Sequence, residues 1–155
     1  MSIDNNHEVT RTLHEDIIYP AHEKRTESEL FAKNKRILVH EKDTPCWICG
    51  SKENREVHHL IEWSLFPAID PQKMLEILRF FDFYGYTKAD PNTIPETPDD
   101  IRNLLVLCEK HHRGVDNGVH DLTLPIWLAL KVKKDNINIT EQVEVVKKAD
   151  KKLSK

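Results

Sequence analysis

Two short motifs of metal-ligand type constrain this chain more than any other feature. Cys46-Trp-Ile-Cys49 and Cys108-Glu-Lys-His111 each present two soft or borderline ligands from one tight turn. Two such knuckles together supply the four ligands of a tetrahedral zinc site, here of Cys₃His composition. Because a structural zinc closes its coordination shell with four ligands, the two segments are predicted to meet in the fold.

Four further polar residues lie beside the knuckles and are not needed by zinc: His58, His59, Asn103 and His112. Adjacent residues on a strand point to opposite faces, so the neighbouring His58 and His59 are expected to have separate roles. Neighbours on a helix point about 100° apart. His111 can therefore face the zinc while His112 faces a second metal.

This order of motifs resembles the HNH, or ββα-metal, endonuclease family, in the branch that carries a zinc knuckle on either side of the histidine pair. The resemblance covers the middle of the chain, from Cys46 to His112. It implies an α+β fold in which a ββα-metal core is held by a Cys₃His structural zinc, with flanking helices and a helical insertion. It also implies a metal-dependent endonuclease that hydrolyses DNA phosphodiester bonds.

The resemblance implies a role for each residue of the pattern. His59 matches the general base that takes a proton from the attacking water, and Asn103 matches the asparagine that orients this base. His58 and His112 match the two ligands of a catalytic divalent metal, which is Mg²⁺ or another ion such as Mn²⁺ or Ni²⁺. Histidine suits the base because its unperturbed pKa lies near neutral pH. The structural zinc ligands in this scheme are Cys46, Cys49, Cys108 and His111.

Residues around this set have less specific readings. Metal-bound histidines usually donate through their second ring nitrogen to a carboxylate or carbonyl, and Glu62 and Asp116 are the predicted candidates for that role. Arg113 is explained equally well as a phosphate contact and as a solvated side chain. His120 is either a further metal or phosphate ligand or a structural residue, and a lone histidine after a glycine turn is more often structural.

The chain divides into three predicted segments. Residues 1–25 are polar, with a short helix over Val9 to Ile18 allowed by the apolar spacing. Residues 26–135 form a single nuclease domain. Within it, the insertion 63–98 either shapes substrate access or adds hydrophobic residues that cover the core. The second reading is favoured, because aromatic residues at helical spacing mostly fill cores. Residues 136–155 form a basic helix or tail, whose lysines are solvated or add nonspecific DNA affinity.

Local signals predict the elements of the domain. Thr26-x-x-Glu29 is a capping box and begins a helix that continues to Leu38. Glu56 to Ile61 is predicted as the second strand of the core, after a polar turn. The remaining helix starts are marked by a capping carboxylate or a proline: Asp70 with Pro71, Asp99 or Asp100 before Asn103, and Pro125.

Composition limits the cellular compartment and the class of partner that we expect for this protein. The 155 residues carry a formal net charge of -3, with a pI near 6.3, which argues against a protein that coats nucleic acid by charge alone. Three cysteines in knuckle spacing favour a reducing cytosol. Because no signal peptide or membrane-spanning apolar run is evident, we expect a soluble, cytoplasmic protein with no membrane partner.

DNA is the partner that the resemblance implies. Small HNH proteins of bacteriophages and mobile elements assist genome packaging or recombination, or attack foreign DNA, so packaging or recombination proteins are further candidate partners. Double-strand cutting would need two active sites and hence a homodimer. The alternative function is a catalytically inactive, zinc-stabilised module that binds nucleic acid or a protein partner. The net negative charge of the chain is compatible with this alternative.

Overall fold

The computed structural model describes residues 9–137 and 139. The predicted basic segment beyond residue 139 lies outside them. Residues 9–28 form neither helix nor strand, so the short helix predicted over Val9 to Ile18 is not formed. Its apolar side chains remain exposed, Leu13 by 61% and Ile18 by 95%. An isolated helix of this length is not stable in water unless one face is buried.

A two-stranded antiparallel sheet forms the centre of the fold. Strand β1 (Arg55–His59) pairs with strand β2 (Leu104–Cys108), with Val57 opposite Val106. The strand predicted over residues 56–61 is therefore the first strand of the core, because no strand precedes it in the described chain. The polar turn that was expected to join two strands instead leads from the first knuckle into β1. All five residues of β2 are buried.

A short helix completes the core. Helix α4 (Glu109–Arg113) follows β2 without a break and packs on both strands. The resulting strand, strand and helix form the ββα unit that the sequence predicts, within a mixed α+β fold. The long connection between the strands accounts for the wide separation of His59 and Asn103.

The sheet separates two hydrophobic clusters because side chains alternate along β2. Leu105 and Leu107 belong to the cluster that contains Trp127. Leu104 and Val106 belong to the other, which contains Phe31. Each cluster is covered by one flanking helix: α5 (Leu124–Val132) on the first side and α1 (Glu29–Arg36) on the second.

The predicted helix starts are mostly confirmed. Asp70 caps helix α2 (Pro71–Phe80) by accepting a hydrogen bond from the Gln72 N–H, with proline at the first helical position. Helix α1, however, is capped by Ser28 and not by Thr26, since Ser28 Oγ accepts from the Phe31 N–H at 3.0 Å. The same hydroxyl donates to Asp99 at 2.6 Å. This tertiary contact selects between two nearby hydroxyl residues, which local sequence does not do.

The segment 63–98 covers one edge of the sheet and adds elements of its own. It contains a 3₁₀ helix (Trp63–Ala68), α2 and the short helix α3 (Tyr86–Ala89). Tyr84 Oη accepts a hydrogen bond from the Val106 N–H at 2.9 Å, and the Trp47 N–H donates to the Val106 carbonyl. The free edge of β2 is thereby satisfied by the insertion and by the first knuckle.

One buried arginine fixes the proline-rich end of the insertion. The side chain of Arg102 is 3% exposed and binds the Asp100 carboxylate at 2.6 Å. It also donates to the carbonyls of Asp90 and Thr93. These bonds hold the loop that carries Asp99 against the core.

Across the described residues, every helix is too short or too polar to cross a membrane.

Candidate functional site

The two knuckles meet as predicted. Cys46, Cys49, Cys108 and His111 place their ligand atoms within 4.8 Å of one another, and none of the cysteines forms a disulfide. The sulfurs of Cys49 and Cys108 are 3.8 Å apart, and His111 Nδ1 lies 3.3 Å from Cys108 Sγ and 4.0 Å from Cys46 Sγ. A tetrahedral zinc with bonds of ~2.3 Å to sulfur and ~2.0 Å to nitrogen requires separations of roughly 3.8 and 3.5 Å. The four residues therefore fit a zinc ion.

The electrostatics of this cluster also suit a cation. Burial raises the pKa of Cys46, but hydrogen bonds from His111 and from backbone N–H groups outweigh it and lower this pKa to about 6. Burial and the neighbouring Cys46 raise the pKa of Cys108 to about 12. The negative charge of the Cys46 thiolate disfavours a second thiolate at Cys108, and a positive ion between the two sulfurs would remove that repulsion.

Backbone geometry explains why the knuckle residues converge. Gly50 adopts a left-handed conformation with φ of 77°, and its N–H closes the turn onto the Cys46 carbonyl at 2.8 Å. On the other side, α4 starts directly after Cys108, so His111 lies one helical turn later. The indole of Trp127 donates to the His111 carbonyl at 2.9 Å and holds this turn against α5.

Three histidines form a second cluster of metal-ligand type. His58 on β1, His112 on α4 and His120 after α4 place one ring nitrogen each within 4.8 Å of the others. His112 Nε2 lies 3.0 Å from His120 Nε2, and the His58 ring centroid is 5.3 and 5.0 Å from theirs. Burial, followed by the positive charge of the neighbouring imidazoles, lowers the pKa of His58 to about 3. At neutral pH His58 is therefore the uncharged imidazole that binds metals.

His120 joins this cluster because the chain turns back tightly on α4. The His120 N–H donates to the His112 carbonyl at 3.2 Å. A Cβ on Gly118 would lie 2.7 Å from that same carbonyl oxygen, so only glycine permits this approach. The sequence left His120 between a ligand role and a structural one. The glycine turn that favoured a structural role is what brings the side chain to the other two histidines.

A carboxylate on β1 orients one histidine of the cluster. Glu56 lies two residues before His58, so both side chains are on the same face of the strand. Glu56 Oε2 is 2.6 Å from His112 Nδ1. When Nδ1 donates its proton to this carboxylate, Nε2 keeps the lone pair that can bind a metal. Strand periodicity could have identified Glu56 from sequence, where Glu62 and Asp116 were named instead.

The structure places the two named residues, Glu62 and Asp116, as follows. Glu62 lines the cavity beside the histidines, and its carboxylate accepts from the Ser64 hydroxyl at 3.1 Å. Asp116 is buried in the turn after α4, and its N–H donates to the Asp121 carboxylate at 2.5 Å. Asp99 contacts the His59 ring and Glu56 contacts the His112 ring, although the sequence did not name either carboxylate for this purpose.

His59 points to the opposite face of the sheet from His58. Its ring stacks on Phe31 with centroids 5.2 Å apart and planes inclined by 19°. Its Nε2 lies 2.7 Å from Asp99 Oδ1. Burial lowers the pKa of His59, and the opposing effect of the Asp99 hydrogen bond does not fully compensate. A neutral His59 that donates Nε2–H to Asp99 has Nδ1 available to accept a proton.

Asn103 is fully buried and binds backbone groups. Its Oδ1 accepts from the Ile61 N–H at 2.8 Å, while its Nδ2 donates to the carbonyls of Ile61 and Pro98 at 3.1 and 2.8 Å. The Asn103 carbonyl also accepts from the Leu60 N–H. Asn103 thus fixes the chain that leaves β1 directly after His59 and ties it to the loop before Asp99.

One cavity of about 250 Å³ connects the two histidine groups. His58 and His59 both line it although they lie on opposite faces, because they are the last two residues of β1. Arg113, the predicted phosphate contact, instead binds Glu56 at 2.7 Å and lies 3.5 Å from Glu109. The residues that line the cavity are Arg25, Glu27, Phe31, Val57, His58, His59, Glu62, Trp63, His112 and His120.

Comparison with known proteins gives one result. Residues 46–119 match the family model described as HNH endonuclease, and the match includes both knuckles, the histidine pair and Asn103. This match confirms the family resemblance over that segment of the chain. No curated protein and no solved structure matches the sequence.

Proposed function

Taking residues 46–119 as an HNH endonuclease segment, we propose that this protein is a metal-dependent endonuclease that hydrolyses DNA phosphodiester bonds. One observation carries the proposal. A neutral histidine paired with a carboxylate, His59 with Asp99, shares one cavity with a cluster of three histidine nitrogens. A proton acceptor and a cation site beside one reacting phosphate are what phosphodiester hydrolysis requires.

His59 is the proposed general base. Its Nε2–H donates to Asp99, and stacking on Phe31 fixes the plane of the ring. Nδ1 then takes a proton from the water that attacks phosphorus. A positioned base of this kind contributes about 10²–10⁴ in rate. Asn103 supports it by holding the backbone on the C-terminal side of His59.

His58, His112 and His120 would hold the catalytic divalent metal. When bound, this ion would supply positive charge to the phosphate and the leaving oxygen. Glu56 keeps His112 in the tautomer that can bind it. A site of three neutral imidazoles suits Ni²⁺ and other transition metals better than it suits Mg²⁺, which prefers oxygen ligands. We therefore rank Ni²⁺ ahead of Mn²⁺ and Mg²⁺ as the activating ion.

The Cys₃His set has a separate, structural role in this proposal. Zinc bound by Cys46, Cys49, Cys108 and His111 would tie the turn before β1 to the start of α4. The helix that carries His112 is only five residues long and depends on such support. A homodimer that cuts both strands and phage packaging or recombination partners remain predictions from the resemblance.

The test is cleavage of supercoiled plasmid DNA with Mg²⁺, Mn²⁺ or Ni²⁺, beside a chelator control. We expect metal-dependent cleavage that His59→Ala reduces by about 10² or more, with zinc content and melting temperature unchanged. His14→Ala, which removes an exposed histidine outside the cavity, is the matched control and should cut normally. Zinc-loaded protein that cuts under none of the metals would favour the inactive binding module.

A further inference from the structure

We propose that Arg25 is a catalytic residue that binds the nonbridging oxygens of the reacting phosphate. This inference rests on the proposed endonuclease function. Arg25 lies in the irregular segment before α1, outside the residues that match the family model. The segment therefore completes the active site and is more than a polar extension of the domain.

The position of Arg25 carries the first step of the argument. Arg25 Nη2 lies 3.5 Å from His59 Nε2 and 3.3 Å from Asp99 Oδ1. The residue lines the same cavity as the three clustered histidines. A phosphate bound in this cavity to a metal held by those histidines would therefore be within reach of the guanidinium.

The guanidinium is held in place by aromatic rings. Arg25 Cζ lies 5.0 Å from the centroid of Phe31 and 5.1 Å from that of Trp63. Phe31 also stacks on His59, so one ring orients both the proposed base and the arginine. Preorganised charge of this kind stabilises a transition state because it does not have to move as negative charge develops on the phosphate.

Arg25 also has donors left for a ligand. Among the described residues, its hydrogen bond to Asp99 uses Nη2, which leaves the N–H groups of Nε and Nη1 available. Its carboxylate partner, Asp99, is shared with Ser28 and His59. The side chain is 25% exposed, so a ligand can reach it without leaving it fully solvated. The planar fork of donors matches the oxygens of a phosphate.

The comparison with Arg113 favours Arg25. Arg113 is the residue that the sequence suggested for phosphate contact, but its guanidinium contacts the carboxylates of Glu56 and Glu109. Its side chain is 61% exposed, where solvent screens its charge. Arg113 is also absent from the lining of the cavity that contains His58 and His59.

The experiment measures hydrolysis of plasmid DNA and of bis(4-nitrophenyl) phosphate, a small diester that offers little beyond the reacting phosphate. We expect Arg25→Gln to slow both substrates by about 10²–10³, the effect of removing one donor to developing negative charge. Arg79→Gln removes the same charge from an exposed arginine that binds the Pro91 carbonyl, and should leave both rates unchanged. Zinc content and melting temperature are measured for each variant.

Binding of inorganic phosphate to the Ni²⁺-loaded protein, followed by calorimetry, separates contact with phosphate from an effect through Asp99. Arg25→Gln should weaken this binding about tenfold, as expected for the loss of one charge-assisted contact. Unchanged phosphate binding would mean that Arg25 only positions Asp99 and would overturn the proposal. A normal rate on the small diester, with loss confined to plasmid, would also overturn it, because Arg25 would then contact flanking DNA.

Two further outcomes need separate tests: an unstable Arg25→Gln variant and an inactive wild-type protein. If Arg25→Gln loses zinc or melts early, Arg25→Lys decides, because it keeps the charge beside Asp99 but lacks the fork. A folded Arg25→Lys that hydrolyses the small diester at the wild-type rate would overturn the proposal, and an intermediate rate is expected. If the wild-type protein hydrolyses neither substrate with any metal, the endonuclease function itself fails.

Discussion

Asn103→Ala tests whether the buried amide supports the fold and the proposed active site together. The substitution removes the partners of the Ile61 N–H and of the carbonyls of Ile61 and Pro98. A buried donor left without a partner costs ~1–3 kcal/mol. Each of the two carbonyls that loses a hydrogen bond adds a smaller cost. We therefore expect the free energy of unfolding to fall by about 3 kcal/mol, out of a total of roughly 5–15.

The protein should stay folded despite this loss, so its activity can be measured. Because Asn103 holds the chain after His59, we expect cleavage to slow by about 10², a cost typical of a small displacement of a catalytic group. Asn103→Asp should destabilise the fold at least as much, since a carboxylate would face two carbonyl oxygens. Asn92→Ala is the matched control, because Asn92 is exposed and binds only Arg79 among the described side chains.

Stability is measured by urea unfolding at one fixed zinc concentration, and activity by plasmid cleavage with the metal that works best for the wild type. Asn92→Ala should change the free energy of unfolding by about 0.5 kcal/mol or less. A similarly small change for Asn103→Ala would refute the hydrogen-bond argument. A destabilised Asn103→Ala that cuts at the wild-type rate would refute the link between Asn103 and His59.

Three further predictions follow from the two metal-ligand clusters. Cys46→Ser should lose zinc and unfold at a lower temperature, and full zinc stoichiometry by atomic absorption would contradict the structural-zinc assignment. Glu56→Gln should weaken the catalytic metal by about 10–100-fold in a metal titration of cleavage, because His112 loses its carboxylate; Glu109→Gln, which removes a charge from α4, should not. Brief chelation should stop cleavage while zinc is retained, and added Ni²⁺ or Mn²⁺ should restore it; permanent loss would count against a separate catalytic metal.

The covalent sequence carries enough information to predict the zinc knuckles and the core elements next to them. Cys46 and Cys49 are three residues apart, as are Cys108 and His111, and this spacing brings each pair together within a single turn. The starts of α2 and α5 were likewise readable, because an N-cap or a proline acts on its own helix. Such effects depend on nearest neighbours and need no knowledge of the rest of the fold.

Contacts between distant segments were not readable in this way. Strand alternation indicates that Glu56 shares a face with His58, but it does not show that Glu56 reaches His112. That contact, and the contact of Asp99 with His59, depend on how β1 pairs with β2. Helix α1 is capped by Ser28 and not by the predicted Thr26, because Ser28 also binds Asp99.

The sequence by itself determined which side chains could bind zinc and which histidines remained for chemistry, because ligand type and short spacing are local properties. Only the tertiary structure decided that His120 joins His58 and His112, and that Arg25 lies beside His59. Both arrangements depend on how the chain folds back on itself: a glycine lets the turn close onto α4, and α1 packs against the sheet face that carries His59. Such packing is a property of the whole domain, and no short stretch of residues encodes it.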